Sequence, residues 1–173
     1  MKNTRVNVAI RVRPLLDSEI NRGETSTQMM NVDMPSNNIT ISGRIEKWYS
    51  FDQVLDSNVK QNEVYDSLNI DNYVKQVVEG YHATIFAYGQ TGSGKTFTME
   101  GYDYSSAQSS NSGPQANIQD GDHIGIAPRI IKNMFSKIDS YADTTKNSYR
   151  VYCSFLQLYQ EKILDLLNPS HTK

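Results

Sequence analysis

The apolar positions change period several times along the chain, and each change marks an element. Arg5–Val12 alternates, with Val6, Val8, Ile10 and Val12 on one face, so it predicts a strand that Pro14 ends. Residues 15–28 are polar and read as irregular. Short strand-like runs follow around Met30–Met34, Asn38–Ser42 and Lys47–Phe51, separated by Pro35, Asn37–Asn38 and Gly43, and they predict a small antiparallel lobe. Met29, Met30 and Met34 fill gaps beneath it. From Asn58 to Glu79 the period becomes helical through Val64, Tyr65, Leu68, Val74, Val77, Val78 and Tyr81. Asn58 and Gln61 stand where a cap is needed, and Gly80 stands where a helix stops. Ala83–Tyr88 is an unbroken apolar, β-branched and aromatic run, the pattern of a buried parallel strand.

The stretch from Tyr102 to Asp122 is rich in Ser, Gln, Asn, Gly and Asp and nearly devoid of large aliphatics, so it predicts an extended mobile loop. Helical pattern resumes at Pro128 with an apolar stripe of Ile130, Ile131, Met134, Phe135 and Ile138. Tyr149–Tyr159 is apolar on both faces and reads as a second buried strand. Glu161–Leu167 fits a short helix or a strand equally well. Alternation of strands and helices over 173 residues predicts one α/β domain with a parallel element.

Chemistry concentrates between the first buried strand and the helix after it. Gly89–Thr96 reads G-x-x-x-x-G-K-T, the spacing of a phosphate loop. Gly89, Gln90, Thr91, Gly92, Ser93 and Gly94 supply a backbone whose N–H groups converge on an anion. Lys95 carries charge to the β and γ phosphates, and the Thr96 hydroxyl is placed to ligate Mg²⁺, so these two are the catalytic candidates. A helix beginning at Gly94 turns its N-terminal dipole toward the phosphates. The loop implies a nucleotide with Mg²⁺.

The wider run Tyr88–Gly101 (Y-G-Q-T-G-S-G-K-T-F-T-M-E-G) resembles the nucleotide loop of the kinesin motor domain. Five more blocks match in order: Val8–Pro14 with its R-x-R-P, Phe51–Val54, Val64–Tyr65 with Val78–Tyr81, Gly125–Arg129, and Ser154–Pro169. The resemblance covers nearly the whole chain. It implies a mostly parallel central sheet flanked by helices, an antiparallel lobe near the N-terminus, and a microtubule-dependent ATPase; that the nucleotide is ATP or ADP is implied only by this resemblance. It implies too that Arg11, Arg13 and Pro14 lie beside the adenine, with Phe97 stacking on the base. Microtubules are the implied partner, homodimerisation through a tail is compatible, and the implied location is cytoplasmic and cytoskeletal, spindle or cilium included.

The family's N-x-x-S-S-R-S-H and D-x-A-G-S-E blocks do not occur. Residues 1–173 therefore resemble the N-terminal half of such a motor, with most microtubule-contacting parts in the other half. In the family's sheet later strands insert between earlier ones, so a longer polypeptide or a second chain is expected to complete it. Asp122–Gly125 spells D-x-x-G but follows a polar loop, and Asp165 follows too short an apolar run to hold Mg²⁺ well.

Net charge is −2, with Lys and Arg scattered, which disfavours nucleic acid as a direct partner. No apolar stretch is long enough to span a bilayer, so no membrane partner is expected. His82, His123 and His171 lack metal-ligand spacing, and Cys153 reads as a small core residue of its strand. A small complete P-loop kinase or GTPase fits less well, because the loop lies mid-chain and no N-K-x-D is present. The competing function is a non-motile piece docked in a cytoskeletal assembly.

Overall fold

The computed structural model describes residues 6–23, 25, 30–101, 123–145 and 148–168. Tyr102–Asp122, expected to form a mobile loop, lies outside them, as do Met29 and His171. Backbone contacts divide the chain into two compact units, residues 1–137 and 138–173.

The first unit begins with strand β1 (Ala9–Arg11), which pairs in parallel with β5 (Gln53–Leu55) in the register Ile10↔Val54. The strand is shorter than the alternation from Arg5 predicts. Val6 and Val8 are exposed, because β5 offers only three residues to pair with. A four-residue helix α1 (Asp17–Ile20) stands inside the segment read as irregular. The antiparallel lobe forms as expected, from β2 (Met30–Asp33), β3 (Asn38–Ile41) and β4 (Lys47–Ser50), in the order β2-β3-β4. Strand β5 had no signal of its own, since three residues are too few to show a period.

The single helix expected over Asn58–Glu79 is two helices, α2 (Gln61–Ser67) and α3 (Ile70–Val78). Asn69 separates them at φ 51°, a left-handed conformation that asparagine tolerates. Glu63 accepts the backbone N–H of Lys60 at 2.8 Å and so starts α2 in place of Asn58. Beyond α3, Gly80 N–H bonds to the Val77 carbonyl and Tyr81 N–H to the Gln76 carbonyl, the paired bonds of a Schellman stop.

The core gathers Leu55, Val64, Tyr65, Ile70, Val74 and Ile126, with Ile85, Met99, Ile130 and Met134 packed around it. Burying one such aliphatic side chain is worth about 1.5–3 kcal/mol. Helix α4 (Lys95–Met99) and helix α5 (Ile126–Thr145) supply Met99, Ile126, Ile130 and Met134. Only part of the stripe foreseen on α5 is seated there, and Ile131 and Phe135 are exposed.

The run Ala83–Tyr88 does not form the buried parallel strand its composition predicts. It is extended but belongs to no ladder, and Phe86 and Tyr88 are exposed at 73% and 96%. Its inward residue Ile85 packs on the core, while among the described residues no strand hydrogen-bonds to it and no layer covers its other face. A strand buried on both faces needs both.

In the second unit, β6 (Leu156–Tyr159) and β7 (Lys162–Asp165) form an antiparallel hairpin. Gln160 and Glu161 turn it with φ values of 47° and 63°, the left-handed pair that a two-residue hairpin demands. This settles the choice for Glu161–Leu167 in favour of a strand, over Lys162–Asp165. It also corrects the expectation for Tyr149–Tyr159. Residues 149–155 carry no ladder, and Tyr152, Phe155 and Leu158 are exposed. Cys153 is exposed and is not a core residue. Among the described residues no helix is long and apolar enough to cross a membrane.

Candidate nucleotide site

The loop Gly89–Thr96 runs from the extended segment into α4. Gly94 is the residue before the helix and sits at φ 92°, where any side chain would be strained, so glycine at this motif position sets the turn. A Cβ on Gly89 would come within 2.5 Å of Ser93 Oγ and 3.3 Å of its Cβ, so the loop folds closely back on itself there. Lys95 Nζ donates to the carbonyls of Gly89 and Gln90, both at 2.9 Å. Those two bonds hold the start of the loop against the helix that follows. Thr96, one residue on, is exposed beside the loop. The glycine-shaped cradle, a lysine at its mouth and an accessible hydroxyl suit a phosphate chain with its Mg²⁺. Gly89–Lys95 would hold the phosphates and Thr96 the metal.

A shallow recess adjoins this loop. Arg11, Arg13, Pro14, Ser93, Gly94 and Phe97 are among its lining residues, so the two sequence blocks R-x-R-P and G-K-T-F meet at one place. The Arg11 guanidinium lies 5.4 Å from the Phe97 ring centroid. Its Nη1 donates to Gln61 Oε1 at 2.7 Å and to Thr98 Oγ1 at 3.0 Å, and its Nη2 donates to the Val59 carbonyl at 3.3 Å. Burial pushes the pKa of Arg11 down from its ordinary value.

Arg13 is held differently. It grips both carboxylate oxygens of Glu19, Nη1 to Oε2 at 2.7 Å, and donates to the Pro14 carbonyl at 2.8 Å. Glu19 Oε2 also accepts the Leu16 N–H at 2.8 Å. The Arg13 hydrogen bond, followed by that from Leu16, lowers the Glu19 pKa from 4.5 to about 2. The loop that carries Pro14 is thus tied down by one carboxylate. Because the folded value lies below the unfolded one, this tie stabilises fully above about pH 4.5 and is lost as pH falls toward about 2. A carbon-13 titration of the Glu19 carboxyl should place its midpoint near 2 in the native chain, and Arg13→Ala should return it toward 4.5.

Behind the site, Asn133 Nδ2 donates to Tyr65 Oη at 2.9 Å and to Asp71 Oδ1 at 2.6 Å, while Lys137 Nζ bonds Asp71 Oδ2 at 3.1 Å. The Asn133 hydrogen bond and then Lys137 hold the Asp71 carboxyl below its usual range. These contacts fix α5 to α2 and α3. Helix α4 is joined to α5 by a backbone crossing. Gly125 N–H donates to the Glu100 carbonyl at 3.1 Å, and a Cβ on Gly101 would lie 2.0 Å from the His123 carbonyl oxygen.

Other sequence candidates lie apart from this centre. Asp165 Oδ1 accepts the Leu167 N–H at 3.0 Å and so serves the end of the hairpin. His82 and His123 are exposed, and among the described residues no cluster of His, Cys, Asp and Glu could hold a metal. Asp122 lies outside the described residues. Two site residues were missed in the sequence, Gln61 and Glu19. Gln61 falls on the helical period of Val64, Tyr65 and Leu68, a signal that it faces inward rather than capping α2.

A phosphate loop set between an extended segment and a short helix, beside an arginine- and proline-lined recess, defines a nucleotide-binding α/β protein. The family follows from the comparisons. The kinesin motor domain model matches residues 11–173, and the chain belongs to that family. It is 36% identical over 171 residues to a kinesin heavy chain of Syncephalastrum racemosum, covering 98% of this chain and 16% of that one. Human kinesin-1 heavy chain is 36% identical over 167 residues, covering 96% of this chain and 15% of its own length. A solved fast kinesin, described for its ATPase mechanism and interactions with microtubules, superposes with a TM-score of 0.73 at 29% identity. That match covers 96% of this chain and 42% of the fast kinesin. The fold is accordingly a partial kinesin-type α/β P-loop motor domain.

Proposed function

We propose that this chain is the ATP·Mg²⁺-binding part of a microtubule-dependent motor. The observation that carries the reading is the convergence of Ser93 and Gly94, from the loop Gly89–Thr96, with Arg11, Arg13, Pro14 and Phe97 around one recess. The loop would take the phosphates and Mg²⁺, and the recess would take the base. Lys95 would leave the carbonyls of Gly89 and Gln90 for the β and γ phosphates, exchanging neutral acceptors for charged ones. Phe97 would offer a ring face but no hydrogen bond. In a complete motor the consequence is ATP hydrolysis coupled to movement along microtubules, in the cytoplasm and on the cytoskeleton.

Phosphoryl transfer rests on preorganised charge and a positioned water, and the blocks that supply the water-positioning and γ-phosphate-sensing groups in the family are not within residues 1–173. This segment is therefore expected to bind nucleotide without turning it over. The extended Ala83–Tyr88, with Phe86 and Tyr88 exposed, supports a segment whose sheet is completed by further polypeptide. The test is a steady-state ATPase assay on residues 1–173 alone, with and without microtubules, and again after mixing with a chain carrying the two missing blocks. No stimulated turnover alone and recovery on mixing is the expected result. A monomeric, cooperatively folded segment whose own ATPase rises with microtubules would overturn it.

A further inference from the structure

We propose that Gln61 is a positioning residue for the base side of the nucleotide site, setting the preference for a nucleotide over a bare polyphosphate without touching either. The inference rests on the nucleotide reading above and deepens it.

Gln61 is 2% exposed and is the one buried polar side chain among the described residues. A buried amide needs partners for both its ends, and here both partners belong to the recess. Oε1 accepts from Arg11 Nη1 at 2.7 Å. Nε2 donates to the Phe97 carbonyl at 2.6 Å. Arg11 and Phe97 face each other as guanidinium over ring and line the recess, whereas Gln61 is absent from its lining. The glutamine therefore stands behind the wall and fixes two members of it at once. One sits on β1 and the other on α4, elements far apart in sequence. Gln61 makes no described hydrogen bond to Gly89–Thr96, whose own geometry is held by Lys95.

That separation gives the role a signature. Loss of the amide lets the Arg11 side chain relax toward Thr98 and Val59 and releases the Phe97 backbone, so the base loses its wall. The phosphate cradle keeps its bonds. A purely structural glutamine would instead weaken the whole domain, and both kinds of ligand would suffer alike.

The experiment is a competition titration on the full chain, with MgADP and with magnesium tripolyphosphate as the probes. In Gln61→Leu, which nearly keeps the volume, affinity for ADP should fall about tenfold, as expected for losing well-placed hydrogen bonds to a charged group. Affinity for tripolyphosphate should stay within about twofold, so the preference ratio collapses. Gln61→Glu keeps the acceptor for Arg11 but removes the donor to the Phe97 carbonyl. It should lower the ratio by a smaller factor, and it decides the matter if the leucine variant does not fold. A ratio equal to that of the parent chain in the variants that fold would overturn the proposal, as would equal losses for both ligands. Failure of the underlying reading shows separately, in the parent chain, as no binding of either probe or no preference for ADP.

Discussion

Lys95→Ala should lower the affinity for MgADP about a hundredfold, equivalent to about 3 kcal/mol. The ammonium stands at the mouth of the loop, already poised there by the carbonyls of Gly89 and Gln90. On the proposed reading it would trade two neutral acceptors for anionic oxygens when nucleotide binds, and charge-assisted bonds are the strong ones. Alanine removes both the charge and the two bonds that shape the loop. Unlike the Gln61 variants, this one should lose tripolyphosphate and ADP together. Thr96→Ala should do less to ADP measured without metal and more with it, because the role proposed for its hydroxyl is to hold Mg²⁺. Isothermal titration of each variant is the measurement, and undiminished ADP binding by Lys95→Ala would remove the phosphate loop from the mechanism.

Gly101→Ala should destabilise the fold by about 3 kcal/mol or more, the range expected when overpacking meets a backbone that disfavours any side chain. The new Cβ would lie 2.0 Å from the His123 carbonyl oxygen and 2.1 Å from the Gly125 nitrogen, and Gly101 sits at φ 85°. Those atoms are backbone and cannot rotate away. Gly125→Ala should behave similarly, with Glu100 and Gly101 backbone atoms at 2.5 Å. Gly23→Ala is the control. It has a similar φ of 81° but nothing within 4 Å, so it should cost only the conformational part, about 1 kcal/mol. Urea midpoints of the three variants separate the two terms. A Gly101→Ala midpoint no lower than that of Gly23→Ala would mean that the α4–α5 crossing gives way easily.

What the sequence made legible was local. The G-x-x-x-x-G-K-T run is contiguous, so its spacing foretells a local turn, and Gly94 at φ 92° leads into α4 with Lys95 bonded back to Gly89. The antiparallel lobe was legible because its turns are punctuated by Pro35, Asn37 and Gly43. The meeting of Arg11 and Phe97 came only from the family resemblance, since 86 positions separate them and no period links them. The buried strands were misjudged for a different reason. Apolar composition at Ala83–Tyr88 and Tyr149–Tyr159 states what a segment would bury, not whether partners exist to bury it. The break at Asn69 escaped because one left-handed residue does not disturb the apolar period on either side. Gln61 escaped because polarity was allowed to outweigh its place on the helical face.

The backbone crossing between α4 and α5 also bears on how this family member can vary. Residues 102–122 depart from Gly101 and return to Gly125 by way of His123, and those ends are already clasped by the Glu100–Gly125 hydrogen bond. Joining two points that stand together costs a chain little more as it lengthens, about 0.6 kcal/mol for each doubling. The clasp itself thus sets little entropic limit on the number of residues that join the helices carrying Lys95 and Asn133.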